Sequence, residues 1–222
     1  MGWFLLVLLC ITLYFPLAAE QYDLPDPYPE IYESIEVLPY RMHGWHQYQS
    51  IFDPLLEKKQ IHTVIEVGVF LGNLTSYIAP KLPNGGRYFA IDHWKGSEEH
   101  AVPGTVEFTC LENMYEQFLS NMIHLHLQDT VIPVRMTSLA AAKKLKKLGI
   151  KGDLIFIDAA HDYVSVYQDI ALWFDMLAPH GVFCGDDWHY GGVRTAVQQF
   201  AKRKGLSIYT NGNFWQFLFI ND

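Results

Sequence analysis

The chain predicts an α/β fold: a doubly wound, mostly parallel sheet with helices on both faces and a C-terminal antiparallel hairpin. Three observations predict it. Short apolar runs alternate with helical stretches from residue 47 onward, the pattern of right-handed βαβ units. Several of those runs, such as "HTVIEVG", "GRYFAID" and "GDLIFID", end in Gly or Asp and lead straight into a turn and a helix. The last apolar stretch, "LSIYTNGNFWQFLFI", folds back on "TNGN", a hairpin signal.

Taken in order, "QYQSIFDPLLEKKQ" reads as a helix on the spacing of Ile51, Leu55 and Leu56, with Pro54 marking a bend or a restart. "HTVIEVG" is a strand and "GNLTSYIAPKL" a helix; "PNGG" then turns the chain into the strand "GRYFAID". "LENMYEQFLSNMIHL" is a helix, "TVIPVR" a strand and "SLAAAKKLKKL" a helix. "GDLIFID" is apolar enough to be buried on both faces, and "YVSVYQDIALWFDML" is the helix after it. "PHGVFCGD" is a strand, "GGVRTAVQQFAKRKG" a helix, and the hairpin adds an antiparallel strand at or near an edge. The architecture is Rossmann-like.

The 222 residues, half of them hydrophobic, suffice for one large domain, assigned to residues 47–222. Residues 20–46, rich in Pro and Tyr without a clean period, read as a linker and N-terminal cap. Residues 1–19, "MGWFLLVLLCITLYFPLAA", carry no charge and read as either a cleaved signal peptide or a membrane anchor, with residues 3–19 as the apolar part. The protein is therefore expected to be exported or membrane-associated. A net charge of −8 excludes general nucleic-acid binding. The lysine run Lys143, Lys144, Lys146 and Lys147 reads as a solvated helix face. Cys10, Cys110 and Cys184 have no metal-like spacing and form no disulfide framework; Cys184 reads as a core residue.

The chemistry begins at "VIEVGVFLGNLT". In a doubly wound sheet, ligands bind beyond the carboxyl ends of the strands, near the reversal of strand order. Gly68 lets the chain leave the strand with unusual dihedrals, and Gly72 lets the next helix or a ligand approach closely. The spacing GxxxG differs from the GxGxxG of nicotinamide sites. Glu66, two residues before Gly68, suits a cationic ligand group. Asp92, 24 residues after Gly68, stands where a carboxylate receives ribose hydroxyls, and Trp94 follows as a candidate adenine-stacking ring.

These residues resemble class I S-adenosylmethionine-dependent methyltransferases: "VIEVGVFLG" is similar to the first motif and "YFAID" to the second. "IDHWKGSEEH" resembles the IDxWxGD element of a small-molecule branch that includes macrocin O-methyltransferases and cephalosporin hydroxylase-like proteins, with Ser97 in place of the branch's acid. The resemblance implies S-adenosylmethionine as cofactor, held by Glu66, Gly68, Gly72, Asp92, Trp94 and, after the third strand, Ser138.

Two later strands end in acids, Asp158 in "DLIFIDAAHDY" and Asp186 with Asp187 in "GVFCGDDWHY". By resemblance to catechol-type O-methyltransferases these three carboxylates are the candidate Mg²⁺ ligands, the hard oxygen donors this ion takes. Those enzymes place a Lys three residues after the metal-binding Asp. Here the position is His161, so the implied general base is a histidine and Asp158 its catalytic neighbour. Lys95, in the look-alike "DHWK", follows the second strand and is not the base.

The expected activity is transfer of a methyl group to a hydroxyl of a sugar or small metabolite, with a small-molecule acceptor as partner. The alternative is a non-catalytic nucleoside-binding or scaffold protein at a membrane. If S-adenosylmethionine is used, the domain faces the cytosol, where that donor is made.

Overall fold

The computed structural model describes residues 29–44, 48–97, 102–110 and 112–219. The signal-or-anchor reading of residues 1–19 lies outside them. Among the described residues, no helix is long and apolar enough to cross a membrane.

Helix α1 (Pro29–Glu33) and α2 (Gln49–Lys58) precede β1 (Thr63–Val67), α3 (Asn73–Ile78), β2 (Arg87–Asp92), α4 (Met114–His124) and β3 (Val131–Arg135). Then come α5 (Ser138–Lys147), β4 (Gly152–Ile157), α6 (Tyr163–Phe174), β5 (Leu177–Gly185), α7 (Gly191–Lys204), β6 (Ser207–Asn211) and β7 (Phe214–Leu218). One seven-stranded sheet runs β3-β2-β1-β4-β5-β7-β6, parallel through β5. The hairpin supplies two antiparallel strands, β7 against β5 and β6 at the edge. Order reverses at β1, which has β2 on one side and β4 on the other.

The period of two along each strand divides the core between the two faces. Val64, Tyr88, Leu154, Phe156 and Cys184 pack with α2, α3 and α4. Ile65, Val67, Ile155, Ile157 and Phe183 pack with α5, α6 and α7. Cys184 is fully buried, as a core residue should be.

Local chemistry sets the helix ends. The Asp162 side chain accepts from the backbone N–H groups of Val164 and Ser165, both at 3.0 Å, and so caps α6. Gly205 ends α7 at φ 68°. Helix α2 runs through Pro54 without restarting.

The segment before β1 is more structured than its composition suggests. Tyr32 of α1 donates to the carbonyl of Val131 at 2.9 Å, and Asn121 of α4 both donates to the Arg41 carbonyl and accepts from the Arg41 N–H. Residues 29–44 are thereby bound along α4 as a cap.

Candidate active site

A cavity of about 1060 Å³ opens at the carboxyl ends of the parallel strands, at the reversal of strand order. Its lining includes Glu66, Gly68, Asp92, Ser138, Asp158, His161, Asp186 and Asp187.

The turn after β1 is set by close approach. Gly68 has φ 91°, and a Cβ there would stand 1.8 Å from the carbonyl oxygen of Asp158. Only glycine lets the β1 and β4 exits pass so closely. Gly72, at φ 86°, is crowded by Met122 and Phe118 of α4, so its close approach is to a helix and it is not part of the cavity lining.

Asp92 holds this turn in place. Its Oδ2 accepts from the N–H groups of Val69 (2.9 Å) and Phe70 (3.0 Å), and its Oδ1 from that of Trp94 (2.7 Å). A carboxylate expected to meet ribose is thus already clamped to three backbone donors while still lining the cavity. Trp94 does not reach the cavity. It is 3% exposed, its ring lies against Tyr115 and Phe118, and its Nε1 donates to the Phe70 carbonyl at 2.7 Å. The adenine-stacking expectation for Trp94 is therefore corrected: the apolar face of α4 draws the indole inward, where it braces the turn.

Glu66 is 2% exposed, and its Oε2 accepts from Thr75 (2.5 Å) and Tyr88 (2.7 Å). Burial pushes its carboxyl up to about 8, and the charge of Asp92 adds to this while the two hydroxyls pull the other way. At the β3 side of the cavity, Ser138 donates to Asp169 Oδ1 and accepts from Trp173 Nε1 (2.9 Å). Burial raises Asp169 to about 6.

The opposite rim gathers the acids. His161 Nε2 lies 2.7 Å from Asp187 Oδ2, and its ring stacks on Tyr190 with centroids 4.2 Å apart. Tyr48 donates to Asp186 Oδ1, which also accepts from the Asp187 N–H at 2.6 Å. Asp187 has φ 66°, the left-handed conformation that turns its carboxylate back toward β4. Asp158 is pushed well above the usual carboxylate range, first by desolvation and then by the charges of Asp186 and Asp187. Asp186 is raised chiefly by desolvation.

Sequence reasoning missed Tyr48, Asp169 and the His43–Glu107 pair, whose Nε2–Oε1 distance is 2.7 Å and which also lines the cavity. Asp169 had a legible signal: an acid within the apolar face of α6 formed by Val166, Ile170 and Trp173. His43 comes from the cap, whose packing has no sequence period, and Tyr48 is the residue immediately before α2.

Seven carboxylates line the cavity, those of Glu66, Asp92, Glu107, Asp158, Asp169, Asp186 and Asp187, and no Lys or Arg does so among the described residues. Such a set suits cationic ligands. Among the described residues, no group of three or more His, Cys, Asp or Glu side chains is disposed to hold a metal ion. The acids at the rim are engaged with one another and with Tyr48 and His161.

A switch-point cavity, a glycine turn clamped by the acid after the next strand and an acidic lining define an α/β transferase that binds a nucleoside-bearing, cationic cofactor. Residues 65–188 match the model of a methyltransferase domain family, and the chain belongs to that family, the class I S-adenosylmethionine-dependent methyltransferases. No curated protein matches the chain. Solved structures share the fold at low identity. An O-methyltransferase from Bacillus cereus in complex with SAH is 20% identical, with 81% of this chain and 84% of that one covered and a TM-score of 0.60. Cofactor-bound Rv0187 from MTB is 20% identical, with 81% and 80% covered and a TM-score of 0.59. The O-methyltransferase TomG from Streptomyces achromogenes, in complex with SAM, is 18% identical, with 75% and 76% covered and a TM-score of 0.58.

Proposed function

We propose that this enzyme transfers the methyl group of S-adenosylmethionine to a hydroxyl oxygen of a sugar or small metabolite, with His161 as the base. The observation that supports this reading is the lining of the cavity: seven carboxylates and no Lys or Arg among the described residues. That lining favours a sulfonium and an ammonium group over the phosphates of a dinucleotide. O-methyl transfer is also what the Bacillus cereus and Streptomyces achromogenes proteins are named for.

When bound, S-adenosylmethionine supplies a methyl carbon open to in-line attack, with the departing electron pair left on sulfur. The task of the chain is to position and to move one proton. The Asp92-clamped turn holds the cationic amino-acid end, and Glu66, buried at the end of β1, accepts from Thr75 and Tyr88. Ser138, with its hydrogen committed to Asp169, presents an acceptor to the nucleoside. His161, whose Nε2 lies 2.7 Å from Asp187 Oδ2, takes the proton of the acceptor hydroxyl. Stacking on Tyr190 fixes the ring plane.

Asp158, Asp186 and Asp187 would hold Mg²⁺, which would lower the pKa of a hydroxyl bound to it. Residues 1–19 act as the anchor of a cytosol-facing domain in this reading, with residues 20–46 as linker and cap.

The test is calorimetric titration of S-adenosylhomocysteine into the full chain, with NADH as control. An acceptor screen with and without Mg²⁺ follows, on wild type and Asp158→Ala. Binding of S-adenosylhomocysteine alone supports the cofactor assignment. Full turnover by the Asp158→Ala variant would remove the metal role.

A further inference from the structure

We infer that the two segments flanking the cavity mouth, residues 37–44 and 102–110, form a surface that docks on a lipid bilayer. Ten large apolar side chains stand out from the described surface, and five of them, Val37, Tyr40, Val102, Val106 and Phe108, lie on these two segments, each between 43% and 51% exposed. The others are spread over α5, α6, β6 and β7.

The two segments are held side by side. Arg41 donates to the Thr109 side chain at 2.5 Å, and His43 meets Glu107 at 2.7 Å. Both also contribute to the lining of the cavity, through His43, Gly44 and Glu107. Five exposed apolar side chains therefore stand on the two segments that supply this part of the cavity lining. Scattered exposed apolar residues need no explanation, but a concentration beside a ligand site marks an interaction surface.

Charge selects the occupant. The chain carries a net −8, yet residues 37–44 hold one Arg and residues 102–110 one Glu, so the two segments are together neutral. That balance fits a zwitterionic bilayer. Tyr and Phe are the aromatic residues suited to the boundary between headgroups and acyl chains. The apolar residues 3–19 precede α1 by a tether, residues 20–28, that reaches at most roughly 30 Å. A bilayer that takes up the apolar run thus lies within reach of this surface. The docking does not depend on which reaction the cavity performs.

The experiment is hydrogen–deuterium exchange of the full chain with and without phosphatidylcholine vesicles. Docking slows exchange in residues 37–44 and 102–110 and leaves β6 and its turn unchanged. The paired substitution Val106→Glu with Phe108→Glu removes that protection in both segments, whereas Tyr209→Glu retains it. Unchanged exchange in both segments, or failure of the full chain to associate with the vesicles, overturns the proposal.

Discussion

Gly68 and Asp158 interlock: the space a Cβ would need at Gly68 is held by the Asp158 backbone carbonyl, 1.8 Å from the ideal Cβ position. The turn proposed to bind the methyl donor and the strand end proposed to serve the acceptor are therefore one rigid unit. Gly68→Ala meets backbone, which cannot rotate aside, and also a φ of 91° that alanine adopts poorly. The expected cost is at least about 2 kcal/mol of stability, read from the denaturant midpoint, together with loss of S-adenosylhomocysteine binding. Wild-type stability and affinity in this variant would contradict the interlock.

Glu66 makes stability depend on pH. Its carboxyl is raised from 4.5 in the unfolded chain to about 8 in the fold, chiefly by burial. The folded state binds the extra proton, so this contribution is complete below pH 4.5 and is lost as pH rises through about 8. Asp169, raised from 3.8 to about 6, adds a decline of the same sign over its lower range. Glu66→Gln keeps an oxygen for Thr75 and Tyr88 while removing the titration. Denaturation between pH 5 and 8 should show wild type losing a few kcal/mol relative to the variant. A constant difference across that range would argue against a protonated Glu66.

Trp94 is a brace for the turn, and its removal should be felt in the fold first. Trp94→Ala empties a buried site against Tyr115 and Phe118 and leaves the Phe70 carbonyl without its donor. A loss of about 3–5 kcal/mol is expected. Trp94→Phe, which retains most of the packing, should bind S-adenosylhomocysteine with near wild-type affinity. A large affinity loss with unchanged stability would restore the stacking role.

The elements of the sheet were legible because strand and helix periods are local properties, and each apolar run from "HTVIEVG" to "GVFCGD" lies where β1 to β5 form. The acids at strand ends were legible for the same reason: parallel strands deliver their carboxyl ends to one rim. Side-chain direction was not. Trp94 follows Asp92 by two residues and could have faced ligand or core; α4, whose apolar face is set by Phe118 and Met122, decided it. Tyr48 escaped notice because its partner Asp186 is 138 residues away, and no spacing rule connects the start of α2 to the end of the fifth strand.

The last prediction concerns the pairing of His161 with Asp187. If Asp187 fixes the imidazole by accepting Nε2–H, the two residues should act as a unit in proton removal while leaving donor binding alone. His161→Ala should lower kcat by roughly 10²–10⁴-fold with S-adenosylhomocysteine affinity held near the wild-type value. Asp187→Asn can offer His161 its amide oxygen as an acceptor, or its N–H₂ group, which selects the other tautomer. It should therefore lose rate too, and the double variant should be little worse than His161→Ala alone. Multiplicative losses in the double variant would mean that the pair acts independently, with His161 serving only as a structural hydrogen-bond donor. Loss of S-adenosylhomocysteine binding in His161→Ala would instead move the residue from the acceptor side of the cavity to the donor side.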